Sequence, residues 1–290
     1  MWTKHEIFNA LKDASEPDGA GRPAVVTAII NNKGGVGKTT TAVSLAAALS
    51  VKRRVLLLDL DSQCSATLSL GLSPRDGGAT LAHVLYQDAS LHRIIQPTEI
   101  DGLDMVAGSL DMAEAQQMLA YRRMPQMRLR WALETVTPLY DLILFDCPPS
   151  FSLISHNALV AADRFIVPVT PHFLGVEGLV NLMRTLDRVR DPRMPMAELW
   201  GLVLTMVDPR RRVTREVVAL VRERFGDLVF RTEIPVSVRL AEAPGQGRSI
   251  FEHALDSRAA HSYWQLAKEV LHRDRLTRSR RRYASVAHMV

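Results

Sequence analysis

The sequence predicts an α/β fold: a single domain with a mostly parallel central sheet covered by helices on both faces. Two observations define the architecture. Short apolar runs such as AVVTAII, RVLLLDL and DLILFD lack polar alternation, as strands buried on both faces do. Stretches of helical length and periodicity separate them, and that alternation specifies parallel strands with crossover helices. A third observation places a site on it. The glycine-rich segment NNKGGVGKTT joins the first apolar run to the first helical stretch, where a strand hands over to a helix.

The elements follow in chain order. Residues 1–23 form an N-terminal extension. Within it MWTKHEIFNALKDA would make a short amphipathic helix with Trp2, Ile7, Phe8 and Leu11 on one side, and SEPDGAGRP breaks it. From Ala24, AVVTAII reads as a strand and Thr39 to Leu49 as a helix. RVLLLDL is a strand and LDMVAG a shorter one. Met112 to Val136 reads as helical, with a break at Pro125. DLILFD and RFIVPV are strands, followed by the helix GVEGLVNLMRTLDRVR. LWGLVLTMV is a strand, TREVVALVRERFG a helix, and SRAAHSYWQLAKEVL the closing helix. The domain therefore spans residues 24–271. Residues 272–290 read as a basic, flexible tail, with six arginines in the eleven residues 272–282.

Composition narrows the function classes. The 290 residues are 47% hydrophobic and 23% charged, ordinary values for a chain that folds without staples. Two cysteines, Cys64 and Cys147, argue against a disulfide framework and for a reducing compartment. No apolar run approaches the roughly 20 residues that span a bilayer, and the N-terminus lacks the apolar stretch of a signal peptide. A cytoplasmic protein is expected. The net charge of +5 points to a polyanionic partner, nucleic acid or anionic lipid.

The chemistry concentrates in the glycine-rich loop. Gly34, Gly35 and Gly37, with Val36 between them, let the backbone curl so that successive N–H groups face a phosphate chain. The helix that begins near Lys38 adds its positive end. Lys38 is placed to bridge terminal phosphates and Thr39 to offer its hydroxyl to Mg²⁺. Two strands end in acids. RVLLLDLD carries Asp59 and Asp61, which share a direction if the chain stays extended, and DLILFD ends on Asp146, a position suited to holding Mg²⁺.

One residue is unexplained by this list: a second lysine, Lys33, at the front of the loop. KGGVGKTT resembles the deviant Walker A motif of the ParA/MinD family of P-loop ATPases, which that lysine defines. The likeness continues through LLLDLDSQ, DCPPSFSLISHNAL, PVTPHFLGVEGL, GLVLTMVD, IPVSVRLAEAPGQGRSI and DSRAAHSYWQLAKEV. It covers Ala24 to Leu271 and is strongest to the ParA/Soj partition branch.

The resemblance implies ATP and Mg²⁺ as cofactors and an ATP-bound homodimer in which Lys33 reaches the partner's nucleotide. It implies Lys33, Lys38 and Asp61 as catalytic residues, Asp61 orienting the attacking water. Residues Lys33 to Thr40 with Met206 and Pro235 would hold the nucleotide, and Thr39, Asp59 and Asp146 would surround the metal. Arg210 and Arg239 would bind double-stranded DNA without sequence selection. A ParB-like adaptor on a cargo (chromosome, plasmid or protein body) would stimulate slow hydrolysis on the nucleoid. Ser62 stands where the family's Asp-x-Asp-Pro-Gln motif has proline. Val236 and Ser237 replace the usual arginine and asparagine, which would weaken or rearrange the DNA contact. The alternative is a membrane-surface ATPase of the MinD kind. The tail has few bulky apolar residues for an interfacial helix, so stable membrane insertion is not expected.

Overall fold

The computed structural model describes residues 24–74 and 78–287, with side chains through Arg275; the predicted N-terminal helix lies outside the described residues. Eight strands form one sheet. They are β1 (Val25–Ile29), β2 (Val55–Asp59), β3 (Ile95–Pro97), β4 (Leu103–Val106), β5 (Leu142–Asp146), β6 (Arg164–Val169), β7 (Glu198–Val207) and β8 (Val229–Pro235). Their order is β3-β4-β2-β5-β1-β6-β7-β8. Every pairing is parallel except β3 with β4. The strand order reverses at β1, so the loop after β1 opens at the switch point where such sheets bind ligands.

Eleven helices connect and cover the described strands. They are α1 (Lys38–Ser50), α2 (Ser65–Ser69), α3 (Leu81–Gln87), α4 (Met112–Ala120), α5 (Arg128–Leu133), α6 (Leu153–Ala161), α7 (Phe173–Val189), α8 (Arg212–Phe225), α9 (Val238–Glu242), α10 (Ile250–His253) and α11 (Arg258–Ala287). Successive strand residues feed opposite layers, as the two-residue period of a strand requires. Leu56, Leu58, Ile143 and Phe145 pack under α3 to α8, while Val55, Leu57, Leu142 and Leu144 pack under α1 and α11. The three consecutive leucines 56–58 are fully buried, each worth about 1.5–3 kcal/mol over an exposed position. α1 is buried almost all round between sheet and α11, which explains why its sequence shows no polar stripe.

Four departures from the sequence reading have identifiable causes. The helix expected over Met112 to Val136 breaks after Ala120, before Pro125, because Met124 adopts a left-handed conformation (φ 51°) that lets α5 turn back and bury Leu129 and Leu133. β8 was not expected: its sequence, VFRTEIP, sets Arg231 and Glu233 on the exposed side of an edge strand, so it shows no apolar run. β3, α2, α3, α6, α9 and α10 are also additions, all but α6 being only three to seven residues long. The closing helix continues past Leu271. Asp274 is buried and paired with Arg164, whose guanidinium lies 3.6 Å from the Trp200 ring centre and whose Nε donates to Thr27 Oγ1 at 2.9 Å. Packing at that end of the sheet thus uses residues beyond the boundary expected at 271.

Candidate active site

The loop between β1 and α1 is held by its own side chains. Gly35 and Gly37 have φ of 68° and 85°, conformations that a side chain disfavours, and Gly37 caps α1. The Val36 carbonyl accepts a hydrogen bond from Thr205 Oγ1 at 2.9 Å, pinning the loop to β7. Asn31 ties it to β6: its Nδ2 donates to the Pro168 carbonyl at 2.7 Å, and its Oδ1 accepts from the Lys33 N–H at 3.1 Å. Lys38 is buried, and its Nζ donates to the Lys33 carbonyl at 2.8 Å, closing the loop on itself. Burial lowers the Lys38 pKa, while the Asp146 and Asp61 carboxylates act against that fall. The result is a cation beside a curl of backbone N–H groups at a helix N-terminus, an arrangement that binds phosphate. Thr40 lies partly exposed in the same first turn.

The carboxylates divide into two kinds. Asp146, at the end of β5, accepts the Thr39 hydroxyl on Oδ2 at 2.7 Å, and its Oδ1 is buried with no hydrogen-bond partner. Asp59 sits opposite it in register on β2. Its Oδ2 accepts both the Thr67 N–H (2.9 Å) and the Thr67 hydroxyl (2.8 Å), and its Oδ1 accepts the Asp61 N–H (3.2 Å). Burial raises the Asp59 carboxyl to about 6 despite those bonds, and burial with the nearby Asp59 charge raises Asp146 well above the usual range.

The chain does not stay extended through LDLD. β2 ends at Asp59, and the chain then turns, the Cys64 N–H closing on the Asp61 carbonyl at 2.9 Å. Asp61 is therefore left half-exposed beside the loop, its Oδ1 accepting only the Gln63 N–H in a local turn. Asp59 is instead a buried support for α2.

These residues fit Mg²⁺. The Thr39 hydroxyl and the orphaned Asp146 oxygen supply one neutral and one anionic donor. No group of three or more His, Cys, Asp or Glu forms a cage among the described residues. That matches an ion held mainly through a nucleotide's phosphates and water. Asp59, which accepts three hydrogen bonds from Thr67 and Asp61, lies beside Asp146 in register on the neighbouring strand. When bound, the ion would neutralise phosphate charge.

Two neighbouring clefts open here, of which the first borders the loop. One, of about 320 Å³, is lined by Lys33, Gly34, Gly35, His172, Met206 and Arg211 among others. The other, of about 310 Å³, is lined by Pro209, Arg210, Pro235, Ser237 and Arg258 among others. Both include Asp208 and Val236, so Met206 and Pro235 line adjacent spaces, not one. Arg210 and Arg239 follow the paired ends of β7 and β8, where Val207 meets Pro235. Their side chains are 89% and 60% exposed, held only by Asp208 (3.0 Å) and Glu242 (2.9 Å).

Several contributors carry no motif signal. Thr67 holds Asp59, and its hydroxyl also accepts the Gly108 N–H at 2.8 Å; a Cβ at Gly108 would come within 3.0 Å of the Asp59 carboxyl. Thr41, behind the loop, shares a 3.1 Å hydrogen bond with the buried Tyr263 hydroxyl of α11. Thr67→Val should cost about 1–3 kcal/mol by stranding the Gly108 N–H and removing one of the two hydrogen bonds that Asp59 Oδ2 accepts. A urea midpoint within about 0.5 kcal/mol of the parent at unchanged m would contradict that support role.

Strand, glycine loop, buried lysine, hydroxyl and strand-end aspartate together define a P-loop nucleotide hydrolase. Residues 24–196 match the family described as AAA domain. The chromosome partitioning protein ParA of Caulobacter vibrioides is 40% identical over 256 residues, covering 87% of this chain and 96% of that one. The sporulation initiation inhibitor protein Soj of Bacillus subtilis is 40% identical over 246 residues, covering 84% and 97%. Among solved structures, a cobyrinic acid a,c-diamide synthase from Mycobacterium smegmatis with bound ADP and magnesium superposes with a TM-score of 0.73. It is 32% identical, and the match covers 86% of this chain and 94% of that one. The chain belongs to the ParA/MinD family of P-loop ATPases, in its ParA/Soj branch. It is an ATPase, with ATP and Mg²⁺ as its cofactors.

Proposed function

We propose that the chain is a partitioning ATPase whose ATP-bound dimer binds DNA without sequence selection and whose hydrolysis, stimulated by a cargo adaptor, releases it. The observation that carries the reading is the shared sheet end. The loop with Lys33, the half-exposed Asp61 and the exposed Arg210 and Arg239 all follow the carboxyl ends of parallel strands. A dimer closing over the nucleotides would gather both arginines on a surface assembled only with ATP. In this reading Lys38 bridges the terminal phosphates, Asp61 orients the attacking water, and Lys33 stabilises charge across the interface. Cytoplasmic, nucleoid-associated placement follows from DNA binding. The relatives named for chromosome partitioning support this assignment.

Surface ion pairs contribute little, so Arg210 and Arg239 exchange Asp208 and Glu242 for phosphates at small cost. Val236 and Ser237 occupy the places of the polar pair expected from the resemblance, leaving the two arginines with a larger share of the contact. Arg239→Glu should weaken binding to random duplex at least ~10-fold and flatten its salt dependence by about one charge. Fluorescence anisotropy measures this. Undiminished affinity in both Arg239→Glu and Arg210→Glu would remove the DNA surface. Binding of either parent or variant to anionic vesicles instead would favour the membrane reading.

A further inference from the structure

Lys33, whose proposed work lies in a second subunit, is occupied on its own. Its side chain folds back over the first turn of α7, where Nζ donates to the Leu174 carbonyl. Its stem passes over Gly178 so closely that a Cβ there would lie 2.6 Å from Lys33 Cε and 2.9 Å from Cδ. Only glycine at 178 leaves room for the lysine in this position.

The cradle is built rather than incidental. His172 caps α7, its Nδ1 accepting the Gly175 N–H at 3.1 Å while its Nε2 meets Thr170 Oγ1 at 2.8 Å. A Cβ at Gly175 would come within 2.1 Å of the Thr170 carbonyl oxygen, so this turn packs against the end of β6 only with glycine there. Asn31 fixes the other side by bonding both the Lys33 N–H and the Pro168 carbonyl. Backbone and acceptor are thus both held at a set separation, and the lysine spans them. Phe173 and Leu174, 77% and 58% exposed, leave the outer side of the turn open for a second copy to cover.

We propose that this is a storage site: within one subunit the Leu174 carbonyl and the space at Gly178 hold Lys33 in cis, and its release sets the threshold for ATP-dependent self-association. The inference rests on the trans role of Lys33 given above and adds the residues that restrain it. A bonded, packed ammonium must leave its acceptor before it serves a partner's nucleotide, so the stored state opposes dimer formation. Weakening it should favour the dimer by about three- to tenfold, the scale of one ordinary hydrogen bond, since this one is exposed to solvent.

Gly178→Ala is the test, because the added methyl meets the flexible end of a side chain and not backbone. The first readout is acylation of Lys33 by a limiting N-hydroxysuccinimide ester in nucleotide-free protein, followed by peptide mass spectrometry. The variant should label at least about threefold faster than the parent, reflecting loss of one solvent-exposed hydrogen bond. The second is sedimentation velocity with ATP, where the variant should associate at a several-fold lower concentration. Unchanged labelling would overturn the storage site. Faster labelling with unchanged or weaker association would overturn its control of the threshold. Faster labelling with no ATP-dependent association in either protein would contradict the dimer itself, and with it the threshold, while leaving the cis contact established.

Discussion

Lys38→Ala should lower ATP affinity at least ~100-fold while leaving the chain folded. The expectation follows from where the ammonium sits. It is 7% exposed, bonded to the loop's own Lys33 carbonyl, and lies within the fields of Asp146 and Asp61. Two lost hydrogen bonds to phosphate, at about 1.5–3 kcal/mol each, amount to two decades or more in affinity. Stability should change less, since burial already disfavours the charged lysine. Isothermal titration with a non-hydrolysable ATP analogue reads the affinity and a urea titration the fold. Parent-like affinity would remove the loop from nucleotide binding.

Asp61→Ala should do the reverse, sparing ATP binding and slowing turnover by about 10²-fold or more, the scale of a lost acid–base or water-positioning group. Its carboxylate is tied only to the Gln63 N–H two residues on, so its removal leaves β2, α2 and the loop in place. Asp59 could not be tested this way. It holds Thr67 and the Asp61 N–H from a fully buried position, and its replacement would disturb the support as well as the site. Single-turnover phosphate release measures the effect. Hydrolysis persisting at the parent rate would transfer the role to another residue.

The contrast between those two aspartates shows where sequence reading reached and where it stopped. The parallel sheet was legible because uninterrupted apolar runs leave a strand no alternative to burial on both faces. The loop was legible because glycine, lysine and threonine at fixed spacing serve one chemistry. Asp146 was legible as the last residue of such a run. A shared direction for Asp59 and Asp61 depends on a strand that continues to Asp61, whereas β2 ends at Asp59 and the Cys64 N–H closes a turn. Thr67 and Gly108 left no local signal, since their value lies in meeting Asp59 from elsewhere in the chain. Gly178 lies within PVTPHFLGVEGL, yet nothing adjacent in sequence shows that Lys33 lies over it. The edge strand β8 was hidden by its solvent-facing Arg231 and Glu233.

The central claim is that nucleotide state gates DNA binding through a surface made only by the ATP-bound dimer. A gel-shift titration of random-sequence duplex tests it most directly, with ATP, ADP or no nucleotide, each at two salt concentrations. The account predicts a shift that requires ATP and Mg²⁺ and weakens steeply with salt. Equal binding in all three nucleotide states, or none in any, would contradict it.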